Sequence, residues 1–359
     1  MLSSLWKKKT AKMVGIDIGS HAVKAVLLGQ TDDGYVLEDF AIEAMPRGAV
    51  IDREIQDIEA VGNIVAKLRN KLADPVKVCA SAVSGQTVIT KIIYMDVNLT
   101  EDDLANQIEI EADSLIPFPL DEVSLDFETL DVNESDPSKV NVLLSAARTE
   151  SIAARVSALE SGGFTAKVID VESYAISRAY DLCLPLLPDD AADKVVAMID
   201  IGAAMTLFSV TDSSKHIYSR DQLFGGEQYT RSIVSYYNKT FDEAEQAKIT
   251  NDLPPNYTFE VLAPFHTILV QQIRRAIQMF LTTSGKDKID YLALSGGSAM
   301  VEGLESLLRD ELGIHTVVIN PFSAMTIADR VNQEELKKSA PQLAVAAGLA
   351  LRSFTSWHI

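Results

Sequence analysis

Two aspartates in matching contexts are the first residues of this chain whose types and spacing point to chemistry. Asp17 lies in VGIDIGSHAVKAV, residues 14–26, and Asp200 lies in AMIDIGAAMTLFSV, residues 197–210. Each aspartate ends an apolar run and is followed by Ile, Gly and small residues. An aspartate at a strand end can hold a hydrated Mg²⁺, an ion that prefers few carboxylates and several waters. Each copy of the repeat therefore supplies a candidate Mg²⁺-binding aspartate.

The turns that follow the two aspartates suit phosphate oxygens. Glycine and small residues permit a tight hairpin whose backbone N–H groups point outward together. Lys24, on the returning strand, is predicted to reach back to a phosphate as a compact positive charge. One Asp-Ile-Gly alone would indicate only a strand-ending turn, but two copies in matching apolar contexts favour a functional role.

A third glycine-rich element occurs late in the chain, in DYLALSGGSAMVEGLESLLRDELG, residues 290–313. Residues 291–294 are predicted to form a short strand and residues 295–298 a turn. Leucines 304, 307, 308 and 312 then follow helical spacing. Glycines between a strand and a helix allow a ligand to lie close to the backbone.

Length and composition limit the elements that can position these residues. The 359 residues suffice for two or three domains, and two similar lobes follow from aspartates half a chain apart. The net charge of −19 repels nucleic-acid phosphates, so nucleic-acid binding is not expected. The two cysteines lack metal-ligand spacing. No run approaches the roughly 20 apolar residues of a membrane-spanning helix, so direct membrane insertion is not expected either.

Together these motifs resemble the superfamily of actin, Hsp70 and sugar kinases. The two Asp-Ile-Gly segments are similar to its two phosphate loops, and LALSGGSAMVEGL is similar to its adenosine motif. IDVESYAISRAY, residues 169–180, and PQLAVAAGLALR, residues 341–352, resemble its connecting helices. The resemblance implies an α/β actin-like ATPase fold, in which two duplicated RNase H-like lobes close on one nucleotide.

The resemblance also implies ATP or ADP with Mg²⁺ as cofactors. Asp17 and Asp200 would organise the Mg²⁺ through its waters, and Glu172 resembles the carboxylate that faces the catalytic water. These three are the catalytic candidates. The other residues implied to surround the nucleotide are Gly19, Ser20, Lys24, Gly202, Ala203, Gly225, Gly226, Glu245, Lys248, Gly296, Gly297 and Ser298.

Glu245 and Lys248 leave two interpretations open. DEAEQAKI, residues 242–249, resembles a helix whose Glu and Lys contact the ribose and adenine. The alternative is an ordinary solvated pair three residues apart on a helix.

A narrower resemblance, to the PilM family of type IV pilus assembly, rests on IEIEADSLIPFPLDEV, residues 108–123, and AKVIDVESYA, residues 166–175. The PilM family in turn resembles the division protein FtsA. The implied function is a cytoplasmic ATP-binding scaffold with at most slow ATPase activity. It would bind the cytosolic N-terminal peptide of PilN, an inner-membrane pilus protein, and so be recruited to the inner face of the inner membrane.

The same resemblance predicts an FtsA-type subdomain inserted in the first lobe. Within it, Thr100 is predicted to cap a helix over residues 104–116 that ends before Pro117. The predicted bounds are 10–35 and 132–190 for the first lobe core, 36–131 for the insertion, 191–224 and 285–359 for the second lobe core, and 225–284 for the smaller subdomain of the second lobe.

Ile116, Pro117 and Phe118 are the candidate partner-binding residues. Apolar side chains beside fixed prolines form a rigid groove that suits a docking peptide. The alternative is that these residues only pack the helix onto its strands.

Two other functions of the superfamily stay open. A small-molecule kinase needs a general base facing a polar pocket, and the sequence offers no convincing candidate. An FtsA-like filament protein carries a C-terminal membrane helix, whereas this sequence reaches LRSFTSWHI soon after the last connecting helix. Self-association is compatible with every one of these functions.

Overall fold

The structure is a computed structural model that describes residues 12–73, 75–84, 88–184, 187 and 191–355. The end of the LRSFTSWHI segment, residues 356–359, lies outside the described residues.

The first lobe is built on a six-stranded sheet among the described residues. Its first three strands form an antiparallel meander, and two later strands extend the sheet in parallel from the first strand. In pairing order the strands are β10 (Thr165–Val171), β6 (Val78–Val83), β1 (Val14–Ile18), β2 (Ala22–Thr31), β3 (Gly34–Ala44) and β16 (Thr326–Ile327).

The second lobe repeats this topology in a five-stranded sheet. Here too an antiparallel meander is extended by two parallel strands beside its first strand. In pairing order the strands are β13 (Lys215–Gln222), β12 (Thr206–Asp212), β11 (Val195–Ile201), β14 (Tyr291–Ser295) and β15 (His315–Val318). Asp17 and Asp200 occupy equivalent positions near the ends of β1 and β11, so the predicted duplication is confirmed.

Helices cover both faces of the first sheet, which explains why β1 is buried along its whole length and is apolar apart from Asp17. One face packs against α1 (Ile58–Lys71) and α3 (Thr149–Ser161). The other packs against α4 (Glu172–Asp181) and α10 (Ala344–Ala350).

A three-stranded sheet and one helix form a separate subdomain in the first half of the chain. Its elements are β7 (Val88–Asp96), α2 (Glu101–Leu115), β8 (Val123–Val132) and β9 (Lys139–Arg148). The N-cap of α2 is Thr100, whose side chain accepts a hydrogen bond from the Asp103 backbone N–H, as predicted.

The observed subdomain spans 88–148 and so differs from the predicted insertion of 36–131. Strands β3 and β6 pair with β2 and β1, which places them in the first lobe. The polar loop that ends β8 leads directly into β9, and the two strands pair with each other. The subdomain therefore ends after this hairpin rather than within the loop.

The second lobe carries α5 (Gly226–Tyr237), α6 (Phe241–Thr250), a π-helical turn (Thr258–Leu262), α7 (Ala263–Ser284) and α8 (Leu304–Leu312). Helix α7 packs on the sheet, where the Phe280 ring lies 5.4 Å from the ring of Tyr218 on β13. Although α7 has 22 residues, no helix of the described ranges is long and apolar enough to cross a membrane.

The end of the chain returns to the first lobe, although the sequence predicted 285–359 as second-lobe core. After α9 (Gln333–Ser339), helix α10 packs on β1 and crosses α4, and β16 extends the first sheet beside β3. The small residues of α10 allow this crossing, and the Arg178 Nε of α4 donates a hydrogen bond of 3.1 Å to the Gly348 carbonyl. These two helices join the lobes.

His216 gives the fold a predicted pH dependence. It is half-buried on β13, and its ring lies 4.7 Å from that of Tyr174 on α4. Burial lowers the pKa of His216 to about 4, so the unfolded chain binds a proton more readily than the folded protein. The associated stability is present above the unfolded pKa of about 6.5 and is lost as the pH falls toward 4.

We expect His216→Phe to reduce the loss in free energy of unfolding between pH 7 and pH 5 by about 2 kcal/mol. Phenylalanine keeps a ring beside Tyr174 but cannot titrate. Urea denaturation of parent and variant at the two pH values measures the difference. Equal losses in the two proteins would show that His216 does not carry this dependence.

Candidate functional site

A cavity of about 1300 Å³ lies between the two lobes. It brings together most of the residues that the sequence singles out, from both Asp-Ile-Gly turns, α5, α6 and the late glycine-rich turn. The predicted residues on its wall are Asp17, Ser20, Lys24, Asp200, Gly202, Ala203, Gly226, Glu245, Lys248, Gly296, Gly297 and Ser298. Gly19, Gly225 and Glu172 lie beside or behind this wall.

Asp17 and Lys24 form a buried ion pair at the first turn. They face each other across β1 and β2, and Lys24 Nζ lies 2.7 Å from Asp17 Oδ2. Burial lowers the pKa of Lys24, but the Asp17 carboxylate raises it by more, so the pKa is raised overall. Lys24 therefore stays protonated, and a bound phosphate would share its charge with Asp17.

Among the described residues, the negative charge of Asp200 lacks an ion pair as close as the one between Asp17 and Lys24. Asp200 lies 8% exposed at the end of β11 and accepts a hydrogen bond of 2.8 Å from Ser295 Oγ. Burial raises the pKa of Asp200, and Arg53, Ser295 and Lys24 only partly offset this effect. A divalent cation near this carboxylate would supply the missing positive charge.

The two aspartates fit Mg²⁺ held largely by water. Both are buried and line one cavity, but the described residues contain no cluster of three or more Asp, Glu, His or Cys side chains suited to a metal. Because Mg²⁺ keeps several waters and takes few carboxylates, Asp17 and Asp200 are the residues that could hold it.

Gly225 and Gly226 serve mainly to bring α5 against the second turn. The backbone N–H of Gly226 donates to the Gly202 carbonyl at 3.0 Å, and that of Gly225 donates to Gln228 Oε1 at 2.8 Å. A Cβ on Gly225 would lie 2.5 Å from the Ala203 carbonyl oxygen. These two amides are therefore already engaged within the protein, and their glycines permit a close approach.

Gly296, in the late glycine-rich turn, also lies where a side chain would clash with neighbouring backbone. Its φ of 88° is a conformation that glycine adopts readily, and a Cβ would lie 2.4 Å from the Ile201 carbonyl oxygen. Ser298 Oγ donates a hydrogen bond of 3.1 Å to the Gly202 carbonyl. The adenosine-type motif and the second phosphate-type turn are thus held together by direct contacts.

The Glu245–Lys248 pair is not a solvated surface pair. Lys248 Nζ lies 2.7 Å from Glu245 Oε2, the two side chains are only 17% and 16% exposed, and both line the cavity. The Thr230 hydroxyl on α5 hydrogen-bonds the same carboxylate oxygen at 2.5 Å. Burial raises the pKa of Glu245, but Lys248 and Thr230 lower it by more, so the carboxylate stays ionised.

Arg53 is a charged residue next to the cavity-lining Asp52 that sequence reasoning did not single out. It lies at the tip of the hairpin formed by β4 (Val50–Ile51) and β5 (Glu54–Ile55), and its guanidinium pairs with the Glu172 carboxylate at the start of α4. The two residues are 119 positions apart, and no local motif signals their contact. Glu172, the candidate for facing a catalytic water, is therefore occupied by an arginine.

The partner-binding candidates lie at the C-terminal end of α2. Ile116 is 5% exposed within the core of the small subdomain, so it supports this surface rather than presenting itself to a partner. Pro117 is exposed, and the half-buried Phe118 ring lies 4.7 Å beneath the guanidinium carbon of Arg148.

Comparison with known proteins adds a family and a set of similar folds. A family model described as type IV pilus assembly protein PilM matches residues 15–354. Among solved structures, the chain is similar to a PilM-PilN type IV pilus biogenesis complex. The sequence identity is 26%, the TM-score is 0.83, and 97% of this chain and 100% of that chain are covered.

More distant structures share the fold alone. The ethanolamine utilization protein EutJ from Carboxydothermus hydrogenoformans is 16% identical with a TM-score of 0.55, and the match covers 94% of this chain and 89% of that one. A diol dehydratase-reactivating factor in nucleotide-free form is 10% identical with a TM-score of 0.52, and the match covers 95% and 99%.

Proposed function

The chain belongs to the PilM family of type IV pilus assembly proteins, and we propose that it is an ATP-binding scaffold that binds PilN. The support for this partner is the similarity to a PilM-PilN complex over 97% of the chain. In this proposal, PilN is an inner-membrane protein, and binding it recruits the chain to the cytoplasmic face of the inner membrane.

The observation that carries nucleotide binding is the arrival of both Asp-Ile-Gly turns and the late glycine-rich turn at one cavity. In the proposed complex, Asp17 and Asp200 orient the water shell of a Mg²⁺ ion. Lys24 and the backbone at Ser20 and Ala203 bind phosphates. Gly19 and Gly202 shape the two turns, since their backbone N–H groups already donate to the carbonyls of Ala22 and Met205. The bound Mg²⁺ supplies positive charge to phosphate oxygens, while the protein residues position it.

The far end of the cavity suits the nucleoside. Glu245 and Lys248 are held in place by Thr230 and face the same space as Gly296, Gly297 and Ser298. A ribose offers hydroxyl groups that hydrogen-bond a fixed carboxylate, and the glycine turn leaves room for a flat base beside the backbone.

Contacts across the cavity allow a bound nucleotide to set the angle between the lobes. The guanidinium carbon of Arg47 lies 4.0 Å from the centre of the Phe241 ring, and His21 Nε2 lies 3.8 Å from Glu245 Oε1. Each contact joins a loop of the first lobe to α6 of the second. A ligand that favours the closed arrangement therefore acts as a hinge switch.

The cytosolic N-terminal peptide of PilN is the proposed ligand of the first lobe and its small subdomain. Pro117 and Phe118 lie on the exposed side of that subdomain, above the buried Ile116. Hydrolysis of ATP is expected to be slow, because a site of this kind supplies little beyond the positioning of a water.

Calorimetric titration of the purified chain with ATP in Mg²⁺ tests the nucleotide part of this proposal. We expect saturable binding at one ATP per chain, weakened when the Mg²⁺ is removed with a chelator. Absence of binding in both conditions would overturn the proposal that the cavity is a nucleotide site.

A further inference from the structure

A buried ion pair lies behind the cavity wall and joins two distant parts of the first lobe. The Arg53 and Glu172 side chains are 13% and 3% exposed and contact each other directly. No recognisable sequence motif contains both residues. A buried pair of this kind contributes little net stability compared with apolar packing, so its presence calls for a reason other than stability.

The backbone at the hairpin tip is shaped to turn Arg53 inward. Asp52 and Arg53 form the two-residue connection between β4 and β5, with φ values of 50° and 70°. Such connections favour Asn and Gly, and an arginine with positive φ is uncommon. Arg155 Nη2 holds the tip by donating a hydrogen bond of 2.6 Å to the Arg53 carbonyl.

Arg53 lies among more negative charge than Glu172 alone provides. Its pKa is raised because the carboxylates of Glu172, Asp221, Asp200 and Asp17 together outweigh the effect of burial. Asp200 and Asp17 are the residues of the two turns at which phosphates are expected to bind. Ile51 and Asp52, next to Arg53 in the same hairpin, line the cavity itself.

Arg53 also does not fully offset the cost of burying the negative charge of Glu172. Burial raises the pKa of Glu172 despite its contact with Arg53. Arg155 is 1% exposed, and its Nε and Nη1 have no hydrogen-bond partner among the described residues. The half-buried guanidinium of Arg53 and the buried guanidinium of Arg155 thus both act on one carboxylate, an arrangement suited to exchanging a bound anion.

We propose, building on the nucleotide binding proposed above, that Arg53 distinguishes a nucleoside triphosphate from a diphosphate. Without the terminal phosphate, the guanidinium pairs with Glu172. With a triphosphate bound, it transfers to the terminal phosphate, because a planar guanidinium binds phosphate oxygens strongly in bidentate geometry. Glu172 and the terminal phosphate therefore compete for Arg53.

This competition predicts opposite effects for changes to the two partners. Glu172→Gln removes the competing charge and should tighten Mg²⁺-ATP binding by about fivefold, with Mg²⁺-ADP binding unchanged. Arg53→Ala should weaken Mg²⁺-ATP binding by about tenfold or more and change Mg²⁺-ADP binding by less than about twofold. In the double variant, the gain from Glu172→Gln should disappear, because there is no arginine left to release.

The experiment is calorimetric titration of the full chain and its three variants with Mg²⁺-ATP and with Mg²⁺-ADP. Arg53→Ala alone leaves Glu172 buried without its partner and can impair folding, so the double variant, which removes both charges, is compared with Glu172→Gln. Arg309→Ala is the matched control. It breaks an exposed helical pair with Glu305, and because neither residue lines the cavity, it should change neither affinity.

Three results would overturn the inference. If Arg53→Ala weakens the binding of Mg²⁺-ATP and Mg²⁺-ADP equally, Arg53 supports the site structurally and does not distinguish the two nucleotides. Persistence of the Glu172→Gln gain in the double variant would show that the gain does not pass through Arg53. Failure of the parent to bind either nucleotide would overturn the proposed nucleotide site together with this inference, whereas the first two results leave that site intact.

Discussion

Replacing Asp200 with Asn is expected to weaken Mg²⁺-ATP binding by about 10- to 100-fold while leaving the protein at least as stable as the parent. The loss of binding follows from removing one of the two carboxylates that are proposed to hold a hydrated Mg²⁺. The folding effect follows from the burial of this carboxylate, which raises the pKa of Asp200. A carboxyl with a raised native pKa lowers the free energy of unfolding at any pH above that pKa. Removing its charge should therefore not destabilise the fold at pH 7.

Asp17→Asn separates this expectation from a general effect of aspartate replacement. Asp17 pairs with the half-buried Lys24, so its loss leaves a positive charge without its partner and should cost stability as well as binding. Asp310→Asn, at an exposed position of α8, is the control and should change neither quantity. Titration with Mg²⁺-ATP and urea denaturation provide the two measurements. Parent-like ATP binding by both the Asp17 and Asp200 variants would contradict the site assignment.

Replacing Gly348 with Ala is expected to lower the free energy of unfolding by at least about 3 kcal/mol. Gly348 lies where α10 crosses α4, and a Cβ there would be 1.8 Å from the Ala175 carbonyl oxygen and 2.6 Å from its carbonyl carbon. These are backbone atoms, which cannot move aside as a flexible side chain can. The helices must therefore separate, which disturbs the packing that joins the two lobes.

Gly297→Ala is the control for this prediction. A Cβ on Gly297 would meet no atom closer than 3.8 Å, an ordinary contact. Urea denaturation should show a large shift for Gly348→Ala and almost none for Gly297→Ala. Equal stability of the two variants would mean that α10 does not cross α4 closely enough for a Cβ at position 348 to clash with the Ala175 backbone.

Local sequence motifs predict the residues that line the cavity better than they predict the domain bounds. A local repeat makes Asp17 and Asp200 recognisable in the sequence. The two sheets then place them at equivalent strand ends. The bounds depend on which strands pair over long distances. Residues 34–44 and 78–83 have sequence patterns that are typical of strands. Nothing in the local sequence indicates that they pair with β2 and β1.

Two kinds of site information are absent from local sequence altogether. The Arg53–Glu172 contact exists only because a hairpin tip and a helix start meet in space. The burial of Ile116 depends on how α2 packs on its three strands, which helical periodicity cannot specify at the last turn. In both cases the decisive fact is a tertiary contact rather than a residue type.

We propose that this chain is a nucleotide-responsive scaffold for PilN. The most direct test of this proposal is calorimetric titration of the purified chain with a synthetic peptide of the PilN N-terminus, with and without Mg²⁺-ATP. We predict saturable binding of one peptide per chain, with an affinity that differs between the two conditions because ATP sets the angle between the lobes. No binding heat in either condition, from a protein that binds ATP in a separate titration, would contradict the scaffold function.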